Sequence, residues 1–147
     1  MRIERLTVNG FGVLSDMQSP AFGPGLNVVY GENGAGKSTL LEFVRAILFG
    51  FRGAGGLQYK PIFSGRHGGE IHVAMADGRR ICIGREPANL VAGKATATLD
   101  GAALSLEALL GGATRDLFEH VFAFSLADID EAGALNEGDL QNRLLAA

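Results

Sequence analysis

Residues 31–38 read Gly31-Glu32-Asn33-Gly34-Ala35-Gly36-Lys37-Ser38, with Thr39 next. The spacing is one glycine, four residues, then Gly-Lys-Ser, and each part has a physical job. Glycines permit tight turns and a close approach of backbone to an anion. Successive backbone N–H groups over residues 33–38 converge as a nest for negative charge. A helix starting near Lys37 adds the positive end of its dipole. The pattern means this only between a strand and a helix. Ahead of it, Leu26-Asn27-Val28-Val29-Tyr30 is a short β-rich apolar run that predicts a buried strand. Behind it, Leu40, Leu41, Phe43, Val44, Ile47 and Leu48 recur at spacings of three and four. They predict one buried helix face over residues 38–49, ended by Gly50.

In that context the motif predicts a nucleoside triphosphate site, for ATP with magnesium (Mg2+). Asn33, Gly34, Ala35 and Gly36 line the cradle. The Lys37 ammonium would reach the β- and γ-phosphates and act in catalysis by holding γ-phosphate charge. The Ser38 hydroxyl would ligate the metal, and Thr39 the α-phosphate. A GTPase would need an Asn-Lys-x-Asp for guanine, which the chain lacks. Its Asp130-Glu131-Ala132-Gly133 matches Asp-x-x-Gly by letter, with no strand leading into it. A nucleoside kinase fits poorly, because three strands are predicted after the first helix.

The remaining segments read as one α/β domain over residues 1–147. Ile3, Leu6 and Val8 alternate in a first strand over residues 1–8. A second short strand and a turn fall between Phe11 and Phe22, ending at Gly23-Pro24-Gly25. Residues 51–68 read as a long loop. Strands follow at 70–75, 79–85 and 94–99, the first two joined by an Asp77-Gly78 turn, with a second turn at Asp100-Gly101. Ser105 and Thr114 are placed to cap helices running to Leu110 and to about His120. The state of Val121-Phe122-Ala123-Phe124 is open, and residues 136–147 read as helical.

Composition narrows the classes. Hydrophobic residues make up 47% of 147, enough for a packed core and unlike a disordered chain. No apolar run approaches the roughly 18 residues of a membrane span, so the expectation is a cytoplasmic protein with no membrane partner. The formal charge of −3 argues against coating nucleic acid by bulk electrostatics. The single cysteine, Cys82, sits in Arg80-Ile81-Cys82-Ile83 and reads as a small buried apolar residue. No Cys/His cluster has zinc spacing.

Further pieces carry a resemblance. The chain has Asn9-Gly10-Phe11-Gly12, Phe22-Gly23-Pro24-Gly25-Leu26-Asn27, the loop continued through Thr39-Leu40, and Ile47-Leu48-Phe49-Gly50. In this order they resemble the N-terminal head segment of the SMC/RecF/SbcC class of ATPases. Tyr59-Lys60-Pro61, residues 65–70, Leu109-Leu110-Gly111-Gly112, Leu117-Phe118-Glu119 and residues 121–126 resemble the YhaN-like ATPases within it. The resemblance spans about the whole chain. It implies a P-loop NTPase fold: the N-terminal lobe of an ABC-type head, with a mixed sheet and an antiparallel β-layer. It also implies ATP hydrolysis in a longer coiled-coil protein, and DNA processing or double-strand break repair. The implied partners are the protein's own C-terminal lobe, a second head in an ATP-dependent homodimer, a nuclease of the SbcD/YhaO kind, and DNA.

The chain departs from that class at several points. It has no Leu-Ser-x-Gly signature. Asp128-Ile129-Asp130-Glu131 has no apolar strand before it and reads as a solvated acidic turn. No glutamine stands where one would hold magnesium and water; by position, Ser125 or Asp128 lies near that place. Gly12 occupies a position where relatives often carry a phosphate-facing arginine. The expectation is therefore a segment of a longer protein that binds ATP and by itself turns over little. A stand-alone nucleotide-binding module, and a remnant that no longer binds, are the alternatives.

Arg52, Lys60, Arg66 and His67 form a sparse basic set on the long loop. Most of it reads as solvated charge. Arg66, flanked by glycine, is the candidate for a nucleotide phosphate contact. Phe118, Phe122 and Phe124 read as core, and Glu32 as solvent-facing.

Overall fold

The computed structural model describes residues 1–51, 58–87 and 93–123, with His120 described in its backbone alone. The chain divides into two units, Met1–Gly111 and Gly112–Ala147.

The first unit is a sheet laid over one long helix. β1 (Arg2–Phe11) turns through Gly12 and Val13 into β2 (Leu14–Gln18), with Phe11 opposite Leu14. After β2 the chain stays beside β1: the Ser19 and Phe22 N–H groups donate to the Leu6 and Glu4 carbonyls at 2.9 and 2.8 Å. Asn27 then clamps the Gly23-Pro24-Gly25 turn. Its side-chain oxygen accepts from the Gly23 N–H, and its amide donates to the Gly23 and Gly25 carbonyls. α1 (Lys37–Phe49) follows, then β3 (Gly68–Ala74), β4 (Arg80–Glu86), β5 (Lys94–Leu99), β6 (Ala102–Leu104) and α2 (Leu106–Leu110). The strands form one sheet in the order β2-β1-β3-β4-β5-β6.

Alternation decides which side chains meet the helix. Leu6, Val8 and Phe11 of β1, Ile71 and Val73 of β3, Ile81 and Ile83 of β4 and Ala97 of β5 are buried. So are Phe43, Val44, Ala46, Ile47 and Leu48 of α1, which packs on β1, β3 and β4. Each fully buried Ile, Val or Phe side chain contributes roughly 1.5–3 kcal/mol, so this layer is what fixes α1 to the sheet. The guanidinium of Arg85 joins it from β4. It is 7% exposed and donates to the Ile47 and Leu48 carbonyls at 3.0 and 3.2 Å. α1 has no basic residue in its last turn, so a cation from the sheet complements its C-terminal dipole.

Several expectations need correction. The sheet is not mixed: every neighbouring pair is antiparallel. Residues 26–30 form no strand. Leu26, Val28 and Tyr30 are 93%, 73% and 91% exposed. A strand exists only through a hydrogen-bonding neighbour, and among the described residues none pairs with this segment. β6 was not expected, since three residues carry too little pattern; the turn into it holds Asp100 and Gly101 at φ 50° and 82°, as a two-residue type I′ hairpin requires.

In the second unit α3 (Arg115–Val121) begins at Thr114, whose hydroxyl accepts from the Leu117 N–H at 3.2 Å. Arg115 pairs with Glu119 one turn on. The Phe118 ring lies tilted against Phe122, their centroids 6.2 Å apart. Phe122 is 69% exposed and so is not core among the described residues. Phe124, Ser125, the acidic turn at 128–131 and the helix expected at 136–147 lie outside the described residues, as does Arg52.

Candidate nucleotide-binding site

The loop at 31–36 runs directly into α1. Gly36 is the N-cap, at φ 91° and ψ 15°, and the Leu40 N–H closes the first turn on its carbonyl at 2.8 Å. Gly34 also has positive φ, 87°. These two positions fold the loop back over the helix end. Gly36 is further constrained by a neighbour: a Cβ there would lie 2.9 Å from Leu14 Cδ2 and 3.1 Å from Val13 Cγ2. The β1–β2 hairpin thus butts against the loop and supports it.

Gly12 plays the matching part on the hairpin side. It has φ 57°, and a Cβ on it would stand 3.0 Å from Thr39 Cγ2 and 3.2 Å from Tyr59 Cδ1. A side chain at this position would be strained by the positive φ and would press on both neighbours. The Gly12 N–H donates to the Tyr59 carbonyl at 2.8 Å, and the Ile62 N–H to the Gly12 carbonyl at 2.9 Å. Tyr59 itself holds φ 61°, an uncommon conformation for a non-glycine residue. It is kept there by its ring, stacked on Phe11 at 5.1 Å and 11°.

Phe11 is the hub of this support. Its ring also meets Phe43 of α1 edge-on at 5.6 Å, Phe51 at 6.4 Å and His67 at 5.6 Å, and Phe51 stacks on His67 at 4.5 Å. One aromatic cluster therefore ties the hairpin, the phosphate-loop helix and the following loop together. His67, read from sequence as part of a solvated basic loop, is instead buried in this cluster at 9% exposure. Among the described residues, neither of its ring nitrogens has a hydrogen-bond partner. Burial, and then the charge of Lys60, hold its pKa below the ordinary 6.5.

The functional side chains lie at the surface. Lys37 reaches back over the loop, its Nζ donating to the Gly31 and Glu32 carbonyls at 2.8 and 2.9 Å. Asn33, Gly34, Ala35 and Ser38 are exposed, and Thr39 is half-buried beside Gly12. The Glu32 side chain faces solvent. Arg66 does not join them among the described contacts: it is an exposed residue paired with Glu86 at 2.6 Å.

The three helices among the described residues differ at their starts. α2 and α3 are capped by the Ser105 and Thr114 side chains and carry Glu107 and Asp116 in their first turns. α1 has no side-chain cap and no acid in its first turn. Its leading N–H donors and dipole are left for a group from outside, and the residues present suit a polyphosphate.

A glycine-rich loop runs into the uncapped end of a thirteen-residue helix whose inner face is buried; this is the loop-and-helix part of a P-loop NTPase, without a strand at residues 26–30 before it. The whole chain, residues 1–147, matches the AAA domain family and belongs to it. It is 26% identical over 149 residues to the "Uncharacterized protein YhaN" of Bacillus subtilis (strain 168), across 99% of this chain and 15% of that protein. The likeness to the N-terminal segment of a YhaN-like ATPase, read from the sequence, is thereby borne out. The chain spans 15% of the length of that relative. No described helix is long and apolar enough to cross a membrane.

Proposed function

We propose that this chain binds ATP with Mg2+ on residues 31–39 and forms half of a composite ATPase site. The observation that carries the binding is the uncapped, acid-free start of α1 beneath a loop bent by two positive-φ glycines. Backbone N–H groups of residues 33–38 hold the phosphates. Lys37 exchanges its two carbonyl contacts for phosphate oxygens, Ser38 ligates the metal and Thr39 meets the α-phosphate end. The bound nucleotide supplies the phosphoryl group, and these residues position it and offset its charge.

Exposed apolar surface beside the loop supports the second half of the reading. Residues 26–30 pair with no strand among the described residues, and a groove of about 420 Å³ runs from Ile3, Leu6 and Phe22 past Val29 to Leu40, Leu41 and Val44. Such a face suits a further lobe of the same protein, which would pair strands with residues 26–30 and bring the groups that activate water. Engagement of a second head on ATP, a nuclease partner and a role in DNA processing or repair extend this proposal to the whole protein. The discriminating experiment is steady-state ATP hydrolysis by the 147-residue chain. Turnover near background is expected. Turnover well above it, abolished by Lys37→Ala, would show that no other lobe is required.

A further inference from the structure

The outer face of the sheet, away from α1, carries a second cluster that the phosphate loop does not use. Ile71, Ile81 and Ile83 point toward the helix and are buried. Alternation therefore sends Glu70, His72 and Cys82 to the opposite side. Glu70 and His72 are two residues apart on β3, and His72 lies directly across from Cys82 on β4. Cys82 is half-buried there, not a core residue as its apolar neighbours in sequence suggest. Glu70 faces Gly84, so no side chain blocks it on that strand. His72 Nε2 stands 3.8 Å from a Glu70 carboxylate oxygen. One ligand atom from each of the three residues lies within 4.8 Å of the other two. A cavity of about 620 Å³ opens beside them, lined by His72 and Cys82 with Arg5, Arg80, Thr98 and Asp100.

We propose that Glu70, His72 and Cys82 form a three-ligand site for a borderline-soft divalent transition metal of the Zn2+ type, with a fourth position open to this cavity. Thiolate and imidazole together select such ions over Mg2+ or Ca2+, and a carboxylate oxygen is an accepted third donor. Tetrahedral bonds of about 2.0–2.3 Å place donor atoms roughly 3.5 Å apart. The three side chains need only rotate inward to reach that spacing, because paired strands already hold their backbones in register. The thiolate and carboxylate together neutralise the dication. Without metal the thiol stays protonated, since burial and then the Glu70 carboxylate push its pKa up to about 11. Metal entry releases that proton to water. Three protein ligands with one open position is the arrangement of a working or bridging ion, whereas closed structural sites have four.

The test is a titration of the reduced, untagged 147-residue chain with Co2+ alone, as a spectroscopic stand-in for Zn2+. A sulfur-to-cobalt charge-transfer band and intense visible d–d bands should saturate at one ion per chain and disappear when Zn2+ is added. Cys82→Ser should abolish the charge-transfer band, and His72→Ala should weaken binding by at least about tenfold. X-ray absorption at the zinc edge of the unsubstituted chain, which needs no variant, should show one sulfur neighbour among nitrogen and oxygen. Absence of the charge-transfer band, its survival in Cys82→Ser, or a sulfur-free zinc shell would overturn the assignment.

Discussion

Protonation of His67 should loosen the support of the phosphate loop, and by an amount the structure bounds. The imidazole is 9% exposed, stacked on Phe51 and tilted against Phe11, with no partner for either nitrogen among the described residues. It stays neutral when folded because burial, and then Lys60, lower its pKa below 6.5. Above pH 6.5 both folded and unfolded chains hold it neutral, and it exerts no pH dependence. As the pH falls below 6.5 the unfolded chain binds a proton that the folded chain refuses. Stability then drops by up to about 1.4 kcal/mol per pH unit, until the lowered folded pKa is reached. Urea unfolding at pH 7.5 and 5.5 should show this loss in the native chain. His67→Phe, which keeps the stacking and removes the titration, should lose measurably less over the same interval. The two proteins differ at this one position, so the difference between their losses isolates it. An identical pH dependence in the two would refute the claim that His67 is held neutral by burial.

Other substitutions probe the remaining supports. Gly36→Ala forces a Cβ into a φ of 91° and toward Leu14. It should cost about 1–2 kcal/mol in a thermal melt and lower ATP affinity by more than that stability loss implies. Arg85→Met removes the two bonds to the Ile47 and Leu48 carbonyls and should cost about 3 kcal/mol in urea unfolding, since hydrogen bonds to charged groups contribute about 1.5–3 kcal/mol each. Thr114→Ala deletes the α3 cap and should cost that helix about 1 kcal/mol, seen as faster exchange of the Leu117 amide.

Local patterns were readable in the chain, and contacts between distant segments were not. The 3–4 spacing from Leu40 to Leu48 and the terminating Gly50 foretold α1, and alternation foretold β1, β3, β4 and β5 within a residue or three at each end. Ser105 and Thr114 announced their helices because a cap acts within one turn. Residues 26–30 misled because burial was inferred from an apolar run, while a strand needs a neighbour that no local pattern guarantees. His67 and Cys82 misled for a related reason. The partners that decide their surroundings, Phe11 for one and His72 for the other, lie 56 and 10 residues away in sequence. One signal was available for Cys82: with Ile81 and Ile83 turned inward, the period of two already placed it on the opposite face. Nothing in the sequence indicated that Arg85 would reach the end of α1.

The central claim is that the uncapped start of α1 and Lys37 make a nucleotide site. Calorimetric titration of ATP with Mg2+ into the native chain and Lys37→Ala tests it most directly. The account predicts one site in the native chain. Lys37→Ala should bind about ten- to a hundredfold more weakly, the loss of about 1.5–3 kcal/mol expected for a charge-assisted hydrogen bond. Its melting temperature should be nearly unchanged, because Lys37 is exposed and bonds only loop carbonyls. No heat of binding at millimolar ATP, or equal affinity in the two proteins, would contradict it.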